Sequence, residues 1–179
     1  MYIFHCGIKT FLYTRKMIQN LTNDNRELFK DAARHYSRFR FAYPKKFFDY
    51  VVSYFELDGK GRMLDLGCGT GQVAFPLAEY FEEVIGLDPD GGMLEEAKRI
   101  AEEKRVKNIK WVKSRAEDIA LEMGLFRLVT MGSSFHWMEQ ERVLQNVYEI
   151  LDQNGGLVIV GGHSAIWRNP EKSEWKEVC

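Results

Sequence analysis

From about residue 22 onward, the apolar positions of this chain alternate between two rhythms, one helical and one of short continuous runs. Leu28, Phe29, Ala32, Ala33 and Tyr36 recur at helical spacing behind a cap at Asn23 or Asp24. Pro44 suits the first turn of a second helix carrying Phe47, Phe48, Val51, Val52 and Phe55. After the breakers Gly59 and Gly61, five short apolar runs follow, at 62–66, 84–88, 109–112, 126–131 and 157–160, and each reads as a buried strand. Helical patterns separate most of them. The first buries Val73, Ala74, Leu77, Ala78 and Phe81; the second opens at Pro89-Asp90-Gly91 and aligns Met93, Leu94, Ala97, Ile100 and Ala101. The third runs from about Glu139 to Leu151 with Val143, Leu144 and Val147, and an Asn154-Gly155-Gly156 turn feeds the last strand. Strands joined by helical crossovers predict an α/β fold with a doubly wound, mainly parallel sheet covered on both faces. Ligands of such sheets sit at the carboxyl ends of the strands, near the switch in strand order.

The end of the first strand is chemically distinctive. Asp65-Leu66-Gly67-Cys68-Gly69-Thr70-Gly71-Gln72 places three glycines at alternate positions behind an acidic residue. Such a loop lets a ligand lie against the backbone at a helix N-terminus. A dinucleotide fingerprint requires a third glycine where this chain has Gln72, so a pyrophosphate loop is disfavoured. Asp88 ends the second strand, about where doubly wound folds set a carboxylate against ribose hydroxyls. The competing reading makes Asp88 the N-cap of the next helix, with Pro89 in its first turn.

Composition narrows the class. The 179 residues are 45% hydrophobic and 13% aromatic, enough to bury a single core. Lysine and arginine total 25 against 26 acidic residues, so no basic excess favours nucleic acid as a partner. Cys6, Cys68 and Cys179 are far apart and odd in number, which argues against a disulfide framework or a metal site and predicts a reducing cytoplasm. Residues 1–16 lack the apolar core of a signal peptide or membrane span. Residues 1–22 are therefore read as an N-terminal extension of poor order, with Met1 or Met17 as the start, and 23–179 as the domain.

Taken together, Leu64-Asp65-Leu66-Gly67-Cys68-Gly69-Thr70-Gly71, Val84 to Pro89 with Met93-Leu94, Ala116-Glu117 and Ser134-Phe135-His136-Trp137 resemble a class I S-adenosylmethionine-dependent methyltransferase. The likeness is to the methyltransferase type 11 group, including trans-aconitate methyltransferase-like proteins, and covers about residues 28 to 179, including Tyr36 to Arg40 and Tyr43-Pro44. The resemblance implies a Rossmann-like sheet of that type and S-adenosylmethionine as cofactor. It implies that Gly67, Cys68, Gly69, Gly71 and Gln72 border the methionyl and ribose parts, that Asp65 holds the amino group through water, and that Asp88, beside Pro89, takes the ribose. Ala116 and Glu117 would grip adenine, with Met93 packed on the base or simply in the helix core. Ser133 and Phe135 follow the fourth strand, beside the transferable methyl.

For the acceptor, the resemblance offers Tyr36, Arg40, His136 and Trp137. His136 is a candidate general base for a hydroxyl or amine acceptor and equally a structural histidine; an ionised carboxylate acceptor needs no base. Two departures stand out. Phe126-Arg127-Leu128-Val129 carries an arginine where the family has an aspartate, and the chain reaches Cys179 soon after the fifth strand, before the two further strands of the family. An exposed parallel edge is then expected, in a chain cut short or in a homodimer that covers it. The expected function is methyl transfer from S-adenosylmethionine to a small-molecule acceptor, with a carboxylate as one candidate. The alternatives are a cofactor-binding protein without activity and a nicotinamide-dependent oxidoreductase.

Overall fold

The computed structural model describes residues 2–5, 43–119 and 121–161; the expected helix around 28–36, with Tyr36 and Arg40, lies outside them. One six-stranded sheet organises the chain, formed by β1 (Tyr2–His5), β2 (Arg62–Leu66), β3 (Glu83–Asp88), β4 (Ile109–Lys113), β5 (Phe126–Gly132) and β6 (Leu151–Val160). Its order is β1-β6-β5-β2-β3-β4, and β2 to β6 are mutually parallel. The chain moves outward from β2 through β3 to β4, then returns to β5 on the other side of β2. The switch in strand order therefore falls between β2 and β5, where the glycine loop begins.

The period of two along each strand divides the core. Met63, Val84 and Leu128 face Phe47, Val51, Val73, Ala74 and Leu77 on one side. Their neighbours Leu64, Ile85 and Val129 face Val143, Val147 and Ile150 on the other. The first side is covered by α1 (Lys45–Tyr54) and α2 (Ala74–Leu77), the second by α4 (Gln140–Ile150), while α3 (Gly91–Lys104) packs on β3 and β4. Edge strand β4 carries Lys110 and Lys113 at its exposed positions, charges that discourage pairing with a foreign strand.

Three expectations change. The helix after the glycine loop is one α-turn, Ala74–Leu77, followed by a 3-10 turn at Ala78–Tyr80. Pro76 has no N–H to offer the carbonyl of Gln72, so residues 70–73 stay in turns instead of joining the helix. The Asn154-Gly155-Gly156 turn lies inside β6: Phe126 pairs with Leu151 and Leu128 with Gly156, so residues 152–155 bulge out of the ladder. Finally, poor order was expected through residue 22, with a bare edge on the last strand. Tyr2–His5 instead lie antiparallel on β6, Tyr2 opposite Ile159 and His5 opposite Gly156, satisfying backbone groups that the edge would otherwise leave open. Among the described residues, no strand follows β6.

Arg127, the cation in place of the family's aspartate, has a structural task. Its guanidinium pairs with Asp58 and donates to the carbonyls of Glu56 at 2.6 Å and Phe55 at 3.3 Å, closing the C-terminal end of α1. Cations complement the carbonyls at a helix C-terminus. Arg127→Ala should destabilise the fold by about 1–2 kcal/mol, read by urea denaturation, and an unchanged midpoint would refute this capping role.

Candidate functional site

The carboxyl ends of β2, β3 and β5 converge on the glycine loop. The amides of Gly67 and Cys68 donate to the carbonyl of Leu87 at 2.8 and 3.0 Å, pinning the loop to the end of β3. On the other side, Ser134 Oγ donates to the carbonyl of Leu66 at 2.7 Å. A Cβ at Gly67, where φ is +65°, would lie 2.5 Å from the Ser134 side chain, so this close approach admits only glycine. A Cβ at Gly69 would meet nothing within 4 Å, and that open face is where a ligand can rest on the backbone. Cys68 is a buried free thiol whose pKa burial pushes well above the usual range; it packs as a small hydrophobe.

Asp88 is held by the backbone on both sides. Its Oδ2 accepts from the Gly69 amide at 2.8 Å and its Oδ1 from the Asp90 amide at 2.9 Å. The helix cap is another residue: Asp90 accepts from the amides of Gly92 and Met93 at 2.7 and 3.2 Å. The alternative reading of Asp88 as the N-cap is thereby displaced. Each Asp88 oxygen keeps a further lone pair, suited to a vicinal diol. Burial raises its pKa against the pull of the two amides. Asp88→Ala should weaken nucleoside-ligand binding by about 1–3 kcal/mol in calorimetric titration, through lost charged hydrogen bonds and a loosened Gly69; equal affinity would remove the diol assignment.

Asp65 lies deeper. It is 1% exposed, accepts from Thr130 Oγ1 at 2.7 Å, and has no partner for Oδ2. Burial drives its pKa up to about 7, against the opposing pull of the Thr130 hydroxyl and the Ala74 amide. The side-chain carbonyl of Gln72, Oε1, is likewise buried without a partner. Both residues line one small cavity with Tyr43, Gly67 and Gly132, which has room for about one water-sized group. Two orphaned acceptors in such a hole call for a compact donor, preferably cationic. Thr130 was missed from the sequence, because only the register of β2 against β5 sets it opposite Asp65. Tyr43 was missed as a site residue too.

The remaining candidates separate. Ala116 and Glu117 are buried in a 3-10 turn after β4. The Glu117 carboxylate accepts from the Glu139 amide at 2.9 Å and from Arg115 Nε at 3.2 Å. Burial works upward on its pKa, but these partners outweigh it and the net shift is down. Glu117 thus ties the turn to the start of α4. Met93 is 5% exposed, in the first turn of α3 behind Pro89. Ser133 sits at the end of β5 and Phe135 is half-buried, whereas His136 and Trp137 are exposed, with their rings 4.9 Å apart. Neither lines the cavity. Tyr36 and Arg40 lie outside the described residues. Among the described residues, no cluster of ligating side chains could hold a metal.

Residues 63–155, more than half of the chain, match the family described as "Methyltransferase domain". The chain belongs to this methyltransferase family. The probable S-adenosylmethionine-dependent methyltransferase CRG1 of Saccharomyces cerevisiae is 32% identical over 123 residues, 68% of this chain and 42% of that protein. The chain thus spans less than half the length of this relative. Among solved structures, the YcgJ protein of Bacillus subtilis superposes with a TM-score of 0.58 at 25% identity, over 65% of this chain and 50% of its own. An S-adenosylmethionine-dependent methyltransferase from Clostridium acetobutylicum gives 0.59 at 19% identity, over 75% and 55%, a likeness of fold. The doubly wound sheet is therefore the Rossmann-like methyltransferase fold, with the switch point at the glycine loop.

Proposed function

We propose that this chain binds S-adenosylmethionine over the loop Gly67 to Gln72 and transfers its methyl group to a small-molecule acceptor. The observation that carries the proposal is the pair of buried acceptors without a hydrogen-bond partner, Asp65 Oδ2 and Gln72 Oε1, on two residues that line one small cavity beside the glycine loop. An α-ammonium would satisfy both. A pyrophosphate offers only acceptors and negative charge, so it would leave both atoms unpaired beside a carboxylate, which disfavours the nicotinamide reading. Asp88 would hold the ribose diol, Gly69 would give the cofactor room, and the turn at Ala116 would border the base.

When bound, the cofactor supplies an electrophilic methyl on a sulfonium. The chain's part is to fix that group in line with the acceptor and to exclude water, which accounts for most of the rate in such displacements. A carboxylate acceptor is already ionised at neutral pH and needs no base, so this reading asks no proton transfer of the exposed His136. The near-neutral charge of the chain favours a small molecule over nucleic acid. Scattered cysteines, with Cys68 a free thiol, fit a reducing cytoplasm. No helix among the described residues is long and apolar enough to cross a membrane.

Calorimetric titration with S-adenosylmethionine, S-adenosylhomocysteine and NAD tests the proposal. Binding of the two sulfur compounds is expected; tight NAD binding with none of either would overturn it. Transfer of a labelled methyl to members of a carboxylic-acid panel then separates an enzyme from an inactive binder.

A further inference from the structure

A second cleft opens where α3 passes into β4, at the amino end of that strand, and it has room for a small organic molecule. It shares no lining residue with the Asp65 cavity. Its rim is cationic: Lys98, Arg105 and Lys107 stand around it against one carboxylate, Glu102, and none of the three is ion-paired among the described residues. Arg99, on the same helix but outside the cleft, is by contrast held by Glu96 at 2.8 Å and by Glu103. Unpaired like charges around a concave surface focus their field into it. Arg105 also occupies a demanding backbone position. It ends α3 in the left-handed region, at φ +57° and ψ +31°, with its amide bonded to the carbonyls of Ala101 and Glu102 and the Val106 amide donating to Ala101 at 2.9 Å. Helices usually leave through glycine at such a position, so what arginine adds there is its guanidinium at the cleft. The remaining wall is aromatic and apolar. Trp111 turns Cε3, Cζ3 and Cη2 of its six-membered ring towards Gly86 and Gly71 and lines the cleft beside Ala101 and Val106. Its indole N–H meets no acceptor among the described residues.

We propose that this cleft is a second binding site of the chain, for a flat organic anion: an aromatic ring carrying a carboxylate or a phosphate. The proposal goes beyond the cofactor reading and does not depend on it. The Arg105 guanidinium offers a planar fork of donors that matches either head group, and the two lysine ammoniums add charge without imposing a direction. A ring on the same ligand would exchange water for the indole of Trp111 and the side chains of Ala101 and Val106. The same three cations repel a positively charged ligand of equal shape, so charge is the feature on which the site discriminates.

The test is an NMR titration of the full chain with indole-3-acetate, phenyl phosphate and tryptamine, following the indole N–H resonance of Trp111, which Trp111→Phe assigns. The anions are expected to shift that resonance with a Kd of about 1 mM or tighter, weakened by added salt, and the cationic tryptamine to leave it unmoved. A response to only one of the two anions supports the site and names its head group. Arg105→Gly should weaken the anions at least about fivefold while melting at the parent's temperature or higher, since glycine relieves the left-handed turn. An arginine with a purely structural task would lose melting temperature instead. Lys98→Gln combined with Lys107→Gln, both at exposed positions, should weaken the anions to a similar degree, and this pair decides alone if Arg105→Gly melts lower or does not fold. No shift with either anion, an equal response to tryptamine, or unchanged anion affinity in the variants would overturn the proposal and leave the cofactor reading intact.

Discussion

Binding of S-adenosylmethionine should tighten about tenfold per pH unit from about pH 5 up to pH 7 and then level off, with Asp65→Asn abolishing the dependence. The slope follows from burial. In the empty chain, burial without a counter-ion holds the Asp65 carboxyl protonated up to about pH 7, and Asp88 adds a smaller push in the same direction. A ligand ammonium pairs with the ionised form, so below that pH binding must first expel a proton. The sign for stability is the reverse. The folded pKa is raised above the unfolded value, so the ligand-free fold binds the proton more tightly, and stability is lost as pH rises from about 4 to about 7. Asp65→Asn should therefore melt higher than the parent at pH 8 without ligand, yet bind S-adenosylmethionine about ten- to a hundredfold more weakly. Isothermal titration in buffers of different ionisation enthalpy should register proton release at pH 6 and little at pH 8. A flat affinity profile from pH 5.5 to 8 would separate Asp65 from the ligand's ammonium.

Short-range chemistry is what the sequence carried well. The glycine loop, the acid before it and Asp88 lie on consecutive strand ends, so their spacing alone brings them together. What failed depended on partners distant in the chain. Thr130 reaches Asp65 from 65 positions downstream and Tyr43 reaches the Asp65 cavity from just before α1, through register and packing that no local motif encodes. His136 lay in a motif after the right strand, yet a 3-10 turn at Phe135–Trp137 points it outward. Tyr2–His5 read as an unstructured leader because four residues hold no periodicity. Its structure comes from the edge of β6, more than 150 residues away.

Gly86→Ala should cost about 2–4 kcal/mol of stability, and pairing it with Trp111→Leu should recover at least about 1 kcal/mol of the summed loss. Gly86 on β3 faces Trp111 on β4 in register. The indole lies flat over it: a Cβ at Gly86 would sit 2.5 Å from Trp111 Cζ3 and 3.2 Å from Cys68 Sγ. The same ring continues to the loop, where a Cβ at Gly71 would sit 2.8 Å from Trp111 Cη2 and 2.7 Å from Phe75. One aromatic side chain thus fills the space that two absent side chains vacate, and it forms the floor under the turn at φ +86° of Gly71. A methyl added at Gly86 must push the indole away from a packed sheet, and the loop moves with it. Trp111→Leu alone should lower S-adenosylmethionine affinity several-fold by removing that floor, although the residue is two strands from the loop. Urea denaturation of the parent, both single variants and the double variant, with calorimetry on each, gives the coupling. Strictly additive stabilities would mean that the indole and the missing Cβ of Gly86 do not compete for one space.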